Sequence, residues 1–336
     1  MNASAERLPR FSDTDLAAWR DEGAVLIEGF FSEQEIAPCR EDMEKLYGVR
    51  RPEAGTARND KLDDAIGVFS RDQFRNFDDL PFDCSPALNL IALHPALIDL
   101  ARATLGVDAV HLYQAHSWAK FTGEADFDQT FHCDFKNHTL TVPSDDAALR
   151  TINVMIYFTE VTDAHGAIHY VPLSDSDALF ETERMPFATD EMQAPLRSRE
   201  RSGAGPAGSI FAYGIDVYHR GTNLTAPAGH RYTLTASYKA AGNEQIGWSA
   251  WPHAFWKRWD LIFTHATPEQ LACLGVPAPG HAFWTRRTID RTRERWPTWD
   301  ATPYLDALRE GGLAPDVAHA RLGGPSTRRN THERLP

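Results

Sequence analysis

Cysteine is scarce: Cys39, Cys84, Cys133 and Cys273 are scattered through 336 residues without a C-x-x-C pair, which argues against a zinc knuckle or a disulfide framework. A reducing, cytoplasmic setting is the expectation. Positive charge is also short. Lys and Arg number 34 against 47 Asp and Glu, a net charge of −13, whereas a phosphate backbone requires a basic surface. No nucleic-acid partner is expected, although a local basic pocket for a small anion stays open. The opening MNASAERLPRF lacks an apolar core of signal-peptide length, and no run of about 18 apolar residues is apparent, so no membrane partner is expected. No internal repeat is visible. Hydrophobic content of 42% is ample for a core.

The chain opens with a helix that Ser12 and Asp15 cap and Gly23 ends, then a strand over 24–28 and a second helix begun by Ser32 and Glu35. Residues 48–64 are charged, aperiodic and interrupted by Pro and Gly, which reads as a loop and a candidate substrate cover. Helical patterns follow over 71–76 and 86–105, the latter broken at Pro95. The character then changes. Strand-like runs are predicted at 110–121, 127–135, 152–161, 167–171, 208–213, 217–220 and 230–239, with a partly helical stretch over 176–198. Several short strands with turns between them indicate a sandwich or barrel. After Asn243 the composition shifts: seven of the nine tryptophans fall between Trp248 and Trp299, among helical runs at 252–264, 268–274, 286–296 and 303–309. We read 243–336 as a Trp-rich helical extension packed on a mainly β domain of 1–242, with a tail from Gly323 that frays. Its tryptophans are expected to be packing anchors.

The chemistry gathers around Phe131-His132-Cys133-Asp134-Phe135. Were this an extended strand, His132 and Asp134 would share a face while Cys133 turned away. That is two thirds of a facial metal triad. With 14 His and 47 acidic residues in the chain, chance alone supplies about two His-x-acid triplets, so context has to carry the assignment. A second imidazole follows after a β-rich interval at His219. His138 and His165 sit in loop-like surroundings, His169 comes too early, and His230 falls on the strand face opposite Arg231. Two His and one carboxylate leave three open positions on an octahedral ion, the arrangement that suits non-haem Fe(II) oxygenases. Arg231 leads a polar stripe with Thr233, Thr235 and Ser237, and its planar fork matches the carboxylate of an anionic co-substrate. Gln114, Lys120 and Asn153 are further candidates for contacts to co-substrate or substrate.

These residues lie in segments with a familiar pattern. FSDTDLAAWRDEGAVLIEGFFSEQEI, the HCD triplet, INVMIYFTEVTDAHGAIHYVPLSDS and YHRGTNLTAPAGHRYTLTASYK together resemble the phytanoyl-CoA dioxygenase family of Fe(II)- and 2-oxoglutarate-dependent oxygenases, which includes the ectoine hydroxylases. The resemblance runs from Phe11 to about Lys239. It implies a double-stranded β-helix, a cupin-type jelly roll with flanking helices. It also implies iron ligation by His132, Asp134 and His219, a hold by Arg231 on the distal carboxylate of 2-oxoglutarate, and a place for Gln114 near the co-substrate. The implied reaction consumes O2 and 2-oxoglutarate, releases succinate and CO2, and hydroxylates an unactivated C–H bond of a small organic substrate. A carboxylate at 134, where related halogenases leave room for a halide, favours hydroxylation. Two positions depart from the family's common pattern: Pro172-Leu173-Ser174-Asp175 replaces Pro-Gly-Ser-His, and Gly221 stands where a Ser is frequent. A different class uses the same three ligands, namely a metal-binding cupin without oxygen chemistry, either a hydrolase or isomerase or a binding protein.

Overall fold

Capping chemistry sets the first elements. Ser12 begins α1 (Asp13–Glu22): its hydroxyl accepts from the Asp15 amide at 3.2 Å while Asp15 accepts from the Ser12 amide at 2.7 Å. Gly23 ends the helix at φ 72°, and a Cβ there would lie 2.6–2.7 Å from side-chain carbons of Leu173 and Val217. Both the turn and the packing therefore demand glycine. The computed structural model describes residues 9–47, 80–122, 128–144, 146–179, 188–248 and 257–310. The expected loop at 48–64, the helix at 71–76, the first residues of the helical run at 252–264 and the tail from Gly323 lie outside them.

The remaining elements are β1 (Ala24–Ile27), α2 (Glu33–Tyr47), α3 (Pro86–Ile91), α4 (Pro95–Leu105), β2 (Val110–Phe121), α5 (Phe135–His138), β3 (Thr151–Tyr157), β4 (Ile168–Tyr170), α6 (Leu173–Leu179), α7 (Asp190–Arg197), β5 (Arg201–Ser202), β6 (Ile210–Gly214), β7 (His219–Gly221), β8 (His230–Ala240), α8 (Trp259–His265), α9 (Pro268–Cys273), α10 (Arg286–Arg295) and α11 (Thr302–Glu310). Five strands form one antiparallel sheet in the order β1-β6-β3-β8-β2, and β5-β4-β7 form a second. The sheets pack through Tyr157, Phe211 and Tyr213 of the first against Ile168 and Tyr170 of the second, as a jelly roll.

Period-two alternation decides which face each side chain takes. On β8, Tyr232, Leu234, Ala236 and Tyr238 enter the large core beneath the helices, leaving Arg231, Thr233, Thr235 and Ser237 on the inner face. On β3, Ile152, Val154 and Ile156 face the same core and Asn153 faces inward. β2 changes phase part-way: the register breaks between Leu112 and Gln114, a β-bulge. Leu112 faces the helices before it, and Ala115, Ala119 and Phe121 do so after it. The extra residue puts both Tyr113 and Gln114 on the inner side, followed by His116, Trp118 and Lys120 opposite Thr235, Thr233 and Arg231.

Two expectations are corrected. The 127–135 stretch is not a regular strand: it makes one isolated bridge, His132 to His219, and at Asp134 (φ −76°, ψ −16°) the backbone turns into α5. Further, residues 86–105 do have the length and hydropathy of a membrane span. Within this fold they are two helices separated before Pro95, with Leu88, Leu97, Ile98 and Leu100 buried in the core.

The C-terminal helices contribute Trp259, Ile262, Leu271, Trp284, Trp299 and Tyr304 to that same core. Trp284, Trp299 and Tyr304 form an aromatic knot with centroids 4.7–5.5 Å apart, and Trp296 stacks on Phe263 at 4.9 Å. These contacts anchor helices to helices.

Glu35 ties the N-terminal arm down. It accepts from the Ser32 amide at 2.9 Å and from both Arg10 guanidinium nitrogens at 3.0 and 2.7 Å, and lies 3.3 Å from His94. Burial alone would raise its pKa, but Arg10 and Ser32 outweigh burial and bring it from 4.5 down to about 2. A depressed carboxylate stabilises fully above its unfolded pKa and ceases to do so as pH falls through the folded one. The urea midpoint of Glu35→Gln should therefore fall below wild type at pH 7, and the gap should narrow between pH 4.5 and pH 3. A gap independent of pH would refute this assignment.

Candidate metal centre

His219 begins β7, and its backbone exchanges two hydrogen bonds with His132, each 3.0 Å. This pairing holds the two imidazole centroids 4.5 Å apart. Asp134, at the start of the following turn, brings Oδ1 to 3.4 Å from His219 Nε2 and 3.8 Å from His132 Nε2. The three ligand atoms lie within 4.8 Å of one another, the one such His/Asp group among the described residues. His132 Nδ1 lies 2.9 Å from the Thr130 carbonyl and His219 Nδ1 lies 3.0 Å from that of Val217. A carbonyl can only accept, so both Nδ1 atoms carry the proton and both Nε2 lone pairs turn inward. Cys133 points away, its thiol donating to the Asp216 carbonyl at 3.4 Å.

Charge is arranged to suit a cation. Burial, with the neighbouring His219 charge, pushes His132 down to about 4. Burial disfavours charge on the other two as well, but Asp134 and His219 more than offset it for each other, lowering the carboxyl and raising the imidazole. Asp134 Oδ2 accepts from Asn153 Nδ2 and from the Tyr213 hydroxyl, each at 3.3 Å. Asn153 thus meets the carboxylate of the triad. His138, set aside as a loop residue, is half-buried in α5, with Nδ1 2.5 Å from the Tyr113 hydroxyl. Tyr113, Tyr213 and His138 carry no local sequence signal; the register of β6 against β3, Tyr213 opposite Asn153, and the bulge in β2 create their roles.

A second feature lies on the inner face. Lys120 and Arg231 are direct cross-strand partners, both buried, at 2% and 4% exposure. Lys120 donates to the Thr222 carbonyl at 2.6 Å and Arg231 to that of Gly166, while Arg231 Nε has no partner. Neither forms an ion pair among the described residues. The carboxylate that acts on Lys120, that of Asp128, is already bridged to Arg220 at 3.3 Å. Like charges opposed across two strands destabilise the sheet, and burial together with Arg231 drives the Lys120 pKa well down. Gln114, half-buried opposite Ser237, lies further along the same inner face.

The sequence profile of phytanoyl-CoA dioxygenases matches residues 19–231, more than half of the chain, including His132, Asp134, His219, Lys120 and Arg231. The protein belongs to the phytanoyl-CoA dioxygenase family. That family and its structural neighbours are Fe(II)- and 2-oxoglutarate-dependent enzymes. Among solved structures, EctD from S. alaskensis with 2-oxoglutarate and 5-hydroxyectoine is similar at 20% identity and a TM-score of 0.51, over 72% of this chain and 80% of that one. The same enzyme with bound Fe matches at 19% identity and 0.51, over 74% and 83%. SnoK, a non-haem α-ketoglutarate-dependent carbocyclase from nogalamycin biosynthesis, matches at 20% identity and 0.48, over 70% and 88%. No curated protein matches the chain. At these identities the likeness to EctD shows a shared fold alone.

Small dicarboxylates should bind this family member even without metal, because they neutralise two buried cations. Millimolar succinate is expected to raise the melting temperature of wild type by several degrees and that of Arg231→Leu hardly at all. Equal shifts in the two proteins would remove Arg231 from the anion site.

Proposed function

We propose that the protein is an Fe(II)- and 2-oxoglutarate-dependent dioxygenase that hydroxylates an unactivated C–H bond of a small organic substrate. One observation carries this reading: two imidazole nitrogens and one carboxylate oxygen converge on a point, on a face that also carries a buried cation pair with no counter-ion among the described residues. The donor set fits ferrous iron. Metal bonds of about 2.1 Å place adjacent octahedral ligands about 3 Å apart, so the 3.4 and 3.8 Å separations require only a small closure.

In this reading His132, Asp134 and His219 would hold the metal, three protein ligands that would leave positions for co-substrate and O2. Bound together, iron and 2-oxoglutarate supply the oxidising chemistry: one O2 is divided between succinate, formed with CO2, and the hydroxyl placed on the substrate carbon. The chain's own residues bind and orient. Arg231 clamps the distal carboxylate through its planar fork, and Lys120 beside it adds a second positive charge that a carboxylate neutralises. Gln114 offers an amide to co-substrate or substrate from the same inner face. His219 is buried and His132 and Asp134 are partly so, which limits the access of bulk water to the reacting atoms. The Lys120–Arg231 pair also favours this reading over a cupin that uses its metal without a dianionic co-substrate.

Anaerobic addition of Fe(II) and 2-oxoglutarate should give a weak visible charge-transfer band, and admission of air should release succinate. Asp134→Ala should abolish succinate formation coupled to substrate. A wild-type protein that binds Fe(II) but gives neither band nor succinate would return the field to a metal-binding cupin without oxygen chemistry.

A further inference from the structure

Resting on the metal assignment just made, we propose that Tyr213 and Asn153 are positioning residues: together they hold Oδ2 of Asp134 so that Oδ1 alone is offered to the metal. The need for such a device is local. Asp134 sits where the backbone turns into α5, and the terminal torsion of an aspartate is broad and two-fold, so an unrestrained carboxylate presents either oxygen or both. Two donors, each 3.3 Å away, meet one oxygen, and that oxygen is the one turned from the imidazoles. A carboxylate oxygen offers two lone-pair directions, so Oδ2 is saturated.

Both donors are themselves immobilised. Tyr213 on β6 and Asn153 on β3 are direct cross-strand partners, with 4% and 0% of their surface exposed. The Tyr213 ring is wedged between Phe211 at 5.6 Å and the His219 imidazole at 4.7 Å. The Asn153 amide is oriented from its other end, where Oδ1 accepts from the Tyr113 hydroxyl at 3.5 Å. A single coordinating oxygen keeps the carboxylate from occupying a position that co-substrate or O2 requires, so these two residues preserve the number of open sites. They act through Asp134 and touch no reacting atom.

The test is metal binding, without turnover. Titration of metal-free protein with Ni(II) by calorimetry should show roughly 10- to 100-fold weaker binding for Tyr213→Phe and for Asn153→Ala, the usual cost of removing a hydrogen bond to a metal ligand. The visible spectrum of the Co(II) form should change in both, because the second oxygen is then free to enter the coordination sphere. Tyr157→Phe is the control: it removes an equally buried hydroxyl that donates to the Gly203 carbonyl at 2.6 Å, and should leave Ni(II) affinity unchanged. Tyr213→Phe keeps the wedged ring, so the comparison survives should Asn153→Ala fail to fold. Wild-type affinity and an unaltered Co(II) spectrum in Tyr213→Phe would overturn the positioning role and leave the metal centre standing. Failure of wild type to bind Ni(II) would remove the metal centre itself, and this role with it.

Discussion

The reciprocal backbone hydrogen bonds between His132 and His219 are the constraint on which everything else depends. Residues that exchange both bonds in an antiparallel pair have their side chains on one face at close range, which is how two imidazoles far apart in sequence become neighbours. The pairing is braced on either side. Upstream, the Gln129 amide donates to the Gly221 carbonyl and its side chain accepts from the Gly221 amide, each at 2.8 Å. Downstream, the Phe135 amide donates to the Ile215 carbonyl at 3.0 Å. Between these clamps the HCD triplet has no freedom to slide along β7.

Two buried arginines show how differently the fold treats charge. Arg220, next to His219 but on the other face of β7, is clasped by Glu200 at 2.8 and 3.1 Å and by Asp128 at 3.3 Å. His169 links the same Glu200 to Asp163, so this side of the small sheet is a closed ionic network. Such a network links β4, β5 and β7 and gives its cation two carboxylate partners. Arg231 has the opposite circumstances: equally buried, adjacent to another cation, and with an unsatisfied Nε. Among the described residues no carboxylate pairs with Arg231 or Lys120, and the co-substrate role proposed for them rests on that contrast.

Much of this was legible in the sequence because local rules govern it. The capped ends of α1 and α2, the alternation of Ile152, Val154 and Ile156 against Asn153, and the polar stripe from Arg231 to Ser237 all follow from period and capping chemistry. The triad was legible only through context, and the geometry assumed for it was wrong: His132 and Asp134 meet at the end of an irregular segment, where alternation no longer applies. Tyr213 was invisible. In IFAYG it reads as one more apolar strand residue, and only the pairing of β6 with β3 sets its hydroxyl beside Asp134. The surroundings of His138 read as a loop because a helix of four residues leaves no periodic trace.

The bulge in β2 has a bearing on how this strand can change over evolutionary time. By resetting the phase at Tyr113, one inserted residue uncouples the strand's two ends, so that Leu112 and Ala115 both serve the helical layer although an uninterrupted pleat would send them to opposite sides. The strand is in effect two half-strands sharing a joint. Loss of Tyr113 alone would restore an unbroken pleat and leave His116, Trp118 and Lys120 facing inward, so the joint serves to bring in one further side chain, the phenol that meets His138 and Asn153.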